Sequence, residues 1–360
     1  MATRRDVLGG AAASLGAAAF PAIAASPALV CAARVDGRDG GGLWRDGALT
    51  PFALPARGHA IARSPVTDDV VLVGRRPGQF AALVRAADVG APARILPPAA
   101  GCRFAGHAAF AADGRAMITS EFDTGSMAGV LVARGPSGEA RERWSLPGIE
   151  PHELRFVAGG ARLVVAMGGL IKDGGVAGPA FNPDGVDSAL LEIDPRSGRV
   201  LARHKLAPDL ASLSLRHLAV SPDGRAVVVA MQDQDLSQAR PLVGVLRLGG
   251  RIELLPMPDP RDCDFRGYLG SVAVDAGGQF ICATSPRGGV AGLWSMGDGR
   301  WLGALHAPDI CGLAAGAGPG AFWATTGYGE VLDLVASGAG LLVRARWKTA
   351  AGFDNHLLRL

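Results

Sequence analysis

A single strand–turn–strand phrase recurs through this sequence, and it limits the fold more severely than any other feature. His217-Leu-Ala-Val-Ser-Pro-Asp-Gly224 runs into Arg225-Ala-Val-Val-Val-Ala230. His107-Ala-Ala-Phe-Ala-Ala-Asp-Gly114 runs into Arg115-Ala-Met-Ile-Thr119, and His152-Glu-Leu-Arg-Phe-Val-Ala-Gly159 into Arg162-Leu-Val-Val-Ala166. Ser271-Val-Ala-Val-Asp-Ala-Gly-Gly278 leads likewise into Gln279-Phe-Ile-Cys-Ala283. Each phrase is a short apolar strand, a glycine-bearing turn and a second apolar strand, which is a hairpin. Two further strands complete a unit: residues 241–247 and 251–256 after the 217 phrase, and 290–295 and 300–304 after the 271 phrase. Four antiparallel strands per ~40–50 residues is the pattern of a β-propeller blade. A β-sandwich would not recycle one phrase at this period.

Aligned on the start of the first strand, the equivalent positions are His59, His107, His152, His217, Ser271, Cys311 and His356, separated by 48, 45, 65, 54, 40 and 45 residues. The long interval holds a Gly/Pro-rich insertion, residues 168–186, expected between the second and third strands of its unit. Only Leu-Leu-Arg-Leu follows His356, enough for one strand, while residues 28–35, 41–45 and 48–54 read as three strands without an inner partner. The C-terminal strand is therefore expected to complete the sheet begun by those three, closing the ring and hiding its edges. The fold class expected is all-β, a seven-bladed β-propeller over residues 25–360. The run Gly40–Gly42 reads as a hairpin turn with no helix following, so it cradles no phosphate.

The first strand of each propeller blade lines the central channel, and its first residue lies near one mouth. Five of the seven equivalent positions are histidine and a sixth is cysteine, in a chain with only seven histidines. Imidazoles converging with a thiolate suit a borderline transition metal, iron or copper with zinc also admissible, rather than an oxygen-seeking ion such as calcium. The candidate metal ligands are His59, His107, His152, His217, Cys311 and His356. The bland alternative has each imidazole bonding the backbone of a neighbouring blade. His204 and His306, in fourth strands or just after them, read as ordinary surface residues. Loops between second and third strands are expected on the histidine face, where Arg75, Arg76, Glu121, Asp123 and Arg287 fall, with Arg216 and Arg266 near first strands. Arginines there can hold a carboxylate or phosphate, and Glu121 and Asp123 can extend a metal's ligand set. Arg75, Arg76, Glu121, Asp123, Arg216 and Arg287 are thus the candidate cofactor-binding residues.

The N-terminus reads as an address. Arg4-Arg5 precede a weakly apolar Ala/Gly-rich stretch and Ala22-Ile-Ala24, an A-x-A cleavage signal. Residues 1–24 are expected to be a twin-arginine signal peptide, delivering a folded protein to the periplasm. No later segment has the ~20 uninterrupted apolar residues of a membrane span. The net charge of +3 is scattered, which gives no footprint for nucleic acid. Five cysteines at irregular spacing, without CxxC, form neither a disulfide framework nor a zinc ribbon. GxSxG, HExxH and Walker motifs are absent; His152-Glu153 is only half a zincin motif.

From His59 onward the chain resembles an uncharacterised family of twin-arginine-exported periplasmic propellers, commonly encoded beside imelysin-type iron-uptake proteins. The resemblance is carried by Arg75-Arg-Pro-Gly, Gly106-His, Gly148-Ile-Glu-Pro-His-Glu-Leu154, Leu215-Arg-His-Leu218, Arg266-Gly-Tyr-Leu-Gly-Ser271, Thr284-Ser-Pro-Arg-Gly-Gly289, Asp309-Ile-Cys-Gly312 and Phe353-Asp-Asn-His-Leu357. It implies export, the propeller fold and a tie to iron acquisition through an imelysin-type partner, but no reaction. Glu150 departs from it, standing where glycine is expected before Pro-His-Glu-Leu, and the segment after Gly168 is altered too.

The leading expectation is a periplasmic metal-binding propeller for iron or copper, acting in metal uptake or handling. A metal-dependent periplasmic oxidoreductase and a metal-free scaffold for a partner protein are the competing readings.

Overall fold

Each strand–turn–strand phrase forms the inner hairpin of a four-stranded antiparallel sheet. The computed structural model describes residues 27–170, 186–260 and 263–360. These residues form seven such sheets. The innermost strands are β4 (Gly58–Arg63), β8 (Cys102–Phe110), β12 (Pro151–Val157), β16 (Leu213–Val220), β20 (Ser271–Val274), β24 (Ile310–Ala315) and β28 (Gly352–Arg359). Each packs on the next, and β28 returns to β4, so the seven sheets close a ring: the protein is a seven-bladed β-propeller. Blades are numbered here from the one that begins with β4.

The seventh blade is composite. β28 pairs antiparallel with β1 (Leu29–Val35), which continues through β2 (Arg38–Arg45) to β3 (Ala48–Ala53). The three N-terminal strands therefore do take their inner partner from the C-terminal strand. Gly40–Gly42 lie inside β2 rather than in a turn, which falls at Asp36-Gly37 instead. A Cβ at Gly41 would sit 2.2 Å from the Phe52 ring, so the glycines make room for aromatic packing from the neighbouring strand.

Continuous apolar runs, rather than alternating ones, make the core. Second and third strands carry runs such as Val70–Val73 and Val227–Met231 that are buried on both faces, because each blade is covered by its neighbours. The long interval lies between β13 (Arg162–Met167) and β14 (Ala189–Ile193), the second and third strands of the third blade, as expected. Residues 171–185 of that insertion lie outside the described residues, as does the expected signal peptide, residues 1–24. No helix among the described residues is long and apolar enough to cross a membrane. All five cysteines are buried, and no disulfide joins them.

Candidate metal centre

A regular strand turns successive side chains to opposite faces, yet the innermost strands break that rule where the histidines lie. On β4 the pairing advances three residues, Gly58 to Ile61, while its partner moves two, Gly74 to Leu72. On β8 it advances from Phe104 to Ala108 against Glu121 to Thr119, and on β12 from Pro151 to Leu154 against Met167 to Val165. On β16 the extra residue is Arg216, beside His217, and on β28 the shift covers Asp354 to His356. β24 has one at Cys311-Gly312, whereas β20 pairs without interruption from Ser271 to Val274. Each of these shifts is a β-bulge, which re-aims side chains and tightens the local twist. His152 and Glu153, neighbours in sequence, both face the axis for this reason.

The five imidazoles meet there. Ring centroids lie 5.0 Å apart for His59–His107, 4.7 Å for His107–His152, 4.9 Å for His152–His217, 4.9 Å for His217–His356 and 4.7 Å for His356–His59. That is a closed pentagon to which five blades each contribute one vertex. Packing is close enough that Gly106 (φ +112°) admits no side chain: a Cβ there would sit 2.8 Å from His59 Cδ2. None of the five residues is more than 8% exposed.

Buried ring nitrogens normally find partners. Among the described residues the Nε2 atoms of His107, His152, His217 and His356 have none, and His59 Nδ1 and His217 Nδ1 have only a carboxylate oxygen 3.7 and 3.5 Å away. Glu153 joins them, with its Oε2 3.5 Å from His217 Nδ1 and 3.9 Å from His107 Nδ1. The same oxygen accepts from the Leu218 N–H at 3.1 Å, and Oε1 pairs with Arg155 at 2.5 Å. Two groups of donors result, each with ligand atoms within 4.8 Å of one another: His107, Glu153, His217 and His356, and His59, His107 and His152. Both groups can hold a metal ion.

The electrostatics suit such an ion. Burial pushes all five imidazole pKa values down, His59 to about 4, so the rings are neutral with lone pairs free to ligate. Burial raises the Glu153 carboxyl, but Arg155 and the neighbouring imidazoles outweigh it and hold the group well below the usual carboxylate range. Asp354 is likewise held down by His59, Arg75 and Arg57 against the upward push of burial. Its Oδ1 lies 3.7 Å from His59 Nδ1.

Other expected site residues have different surroundings. Cys311 shares the register of the histidines, but its Sγ points at the carbonyls of Thr325 (3.4 Å) and Phe353 (3.5 Å), and it belongs to neither donor group. Burial pushes its thiol pKa up, leaving it protonated. Glu121 is fully buried within its own blade, pairing with Arg134 at 2.7 Å and accepting from the Ala99 N–H at 2.8 Å. Asp123 pairs with Arg143 at 2.7 Å, and Arg287 stacks over the Tyr268 ring at 4.5 Å. Arg75 reaches Asp354 at 3.4 Å, Arg76 pairs with Glu150, and Arg216 reaches Glu150 at 2.8 Å and His152 Nδ1 at 3.5 Å. His306 is exposed, as expected; His204 is not an ordinary surface residue, because its Nε2 meets the buried Glu192 at 2.9 Å.

Glu153 and Asp354 were not among the expected ligands. Sequence places each within two residues of a channel histidine, and that proximity is the only signal; strict alternation would have turned Glu153 away.

A family model described as "Protein of unknown function (DUF1513)" matches residues 52–360. No curated protein matches the chain. Among solved structures, hydrazine synthase of Kuenenia stuttgartiensis is similar with a TM-score of 0.62 and 13% identity, over 87% of this chain and 90% of that one. A chain of a mitotic checkpoint complex gives a TM-score of 0.59 and 11% identity, over 91% and 87%. At such identities the likeness concerns the fold alone.

Proposed function

This chain belongs to the DUF1513 family of proteins of unknown function, and from that premise we propose that it binds a transition-metal ion at the histidine mouth of its channel and serves in metal uptake or handling. The observation that carries the reading is the set of buried ring nitrogens without partners. Desolvating so many polar atoms is costly unless something ligates them, and one ion bound by several imidazoles offsets that cost. With Cys311 protonated and turned aside, the donors are imidazole and carboxylate. That set suits a borderline divalent ion, iron, copper or zinc, over calcium, which prefers oxygen alone. Delivery to the periplasm by the twin-arginine route and partnership with an imelysin-type iron-uptake protein belong to the same proposal, supported by Arg4-Arg5, Ala22-Ile-Ala24 and the motifs quoted above.

Metal analysis of the protein exported by its native route tests the site. Wild type is expected to retain about one ion per chain after dialysis, and a His152→Ala/His217→Ala variant to lose most of it. Equal metal content in the two would remove the centre.

A further inference from the structure

Against the imidazoles lies a layer of charge that the metal donors do not use. Glu150 Oε1 accepts from Arg216 Nη1 at 2.8 Å and also pairs with Arg76, while Oε2 takes the Leu170 N–H at 2.7 Å. Both guanidinium groups are withdrawn from water. Arg216 is 6% exposed, and its Nε is a buried donor with no hydrogen-bond partner among the described residues. Nearby, Asp354 is shared by Arg57 at 2.6 Å and Arg75 at 3.4 Å. The Arg57–Arg75 side is balanced by Asp354 together with the neighbouring Asp309, whereas Arg76 and Arg216 share the single carboxylate of Glu150 beside neutral rings.

Water screens the half-exposed Arg57 and Arg75, but Arg76 and Arg216 share one carboxylate in a largely dry setting. A buried cation without a matching anion is expensive. A metal cation nearby makes it more so, since Arg216 Nη2 lies 3.5 Å from His152 Nδ1, on a ring of the donor set. An anion taken up by the guanidinium groups, on the side of the His152 ring away from its unpartnered Nε2, offsets both costs at once.

We propose that Arg76 and Arg216 form an oxyanion seat, and that the metal is held as a ternary complex with a carboxylate- or phosphate-bearing ligand rather than as a bare aqueous ion. The metal in this statement rests on the function proposed above; the anion does not. Guanidinium groups present paired donors matched to two oxygens of a carboxylate or phosphate, and the ligand's charge cancels the excess that opposes loading.

Calorimetric titration of inorganic phosphate and, separately, of citrate into the exported chain tests this, with the chain metal-free or zinc-loaded and zinc content measured in every sample. Wild type is expected to bind at least one of the two anions, more tightly when zinc-loaded, and the identity of that anion tells a free phosphate from a carboxylate chelate. R76Q/R216Q is expected to bind it at least about tenfold more weakly, the usual cost of lost charge-assisted contacts. Because the double variant can lose its fold, R76Q alone and E150Q are titrated beside it. E150Q frees both guanidinium groups and is expected to bind the anion more tightly than wild type, a direction that a purely structural role for these residues does not give. Equal affinity in wild type and the arginine variants, or failure of both anions to bind, overturns the seat. Arginine-dependent anion binding in a chain that takes none of zinc, copper or iron removes the metal and the ternary complex; metal retention indifferent to both anions and both arginines removes the seat and leaves the metal.

Discussion

The third and fifth blades are built from one phrase and part company at the start of its first strand. Both open with an apolar strand that passes through a glycine turn into a buried partner. In the third, the strand carries an extra residue at its start, and His152 and Glu153 both reach the axis. In the fifth, pairing is regular from Ser271 onward, and the blade contributes nothing to either donor group. The lesson is that the ring positions a residue near the mouth, while the bulge decides what that residue can reach. The sixth blade separates the two effects: it has the bulge, but its thiol bonds backbone carbonyls.

The largest expected effect comes from removing what the third blade alone supplies. Glu153→Ala deletes the only carboxylate in the donor groups, and metal affinity is expected to fall by about a hundredfold, read by competition against a chromophoric chelator. Loss of less than about threefold would show that the imidazoles suffice. Acidification strains the histidine blades together. Unfolded imidazoles protonate near pH 6.5, whereas the buried ones resist until lower pH, His59 until about 4. The unfolded state thus binds more protons across that window, so the metal-free chain keeps this stability above about 6.5 and loses it as pH falls. Its Tm is expected to drop by several degrees from pH 7 to pH 5, and a flat profile would mean that the rings titrate normally. Gly106→Ala places a Cβ against His59 at a positive φ, and about 1–3 kcal/mol of stability is expected to go, measured by urea denaturation. The smallest effect belongs to the fifth blade: Ser271→Ala is expected to change stability by under about 0.5 kcal/mol and metal content not at all. A Ser271→Ala chain with impaired metal retention would make the fifth blade part of the site and break the comparison.

The blades were legible in the sequence because a hairpin repeated at regular spacing is a local signal: apolar alternation and turn glycines lie within a dozen residues of one another. The composite blade was legible by subtraction, three strands at one end lacking a partner and one left at the other. The histidines stood out because they are few and fall in register. What escaped is set by backbone geometry. Gly40–Gly42 look like turn residues until Phe52 and Leu49 are seen to pack over them. Glu153 looked misdirected because bulges leave no clear mark in composition. Cys311 showed the converse error, since register gives a side chain's address but not the direction of its Sγ. Glu121 and His204, which read as a free loop carboxylate and a surface imidazole, each answer to a buried partner on the adjacent strand of the same blade, Arg134 and Glu192.

His356 sits on β28, which follows every other described strand in chain order yet zips onto β1. The pentagon of rings therefore has an open side until β28 has been made and docks on β1. An ion captured earlier would meet four imidazoles and no closed ring, so full-strength loading and completion of the fold become a single event.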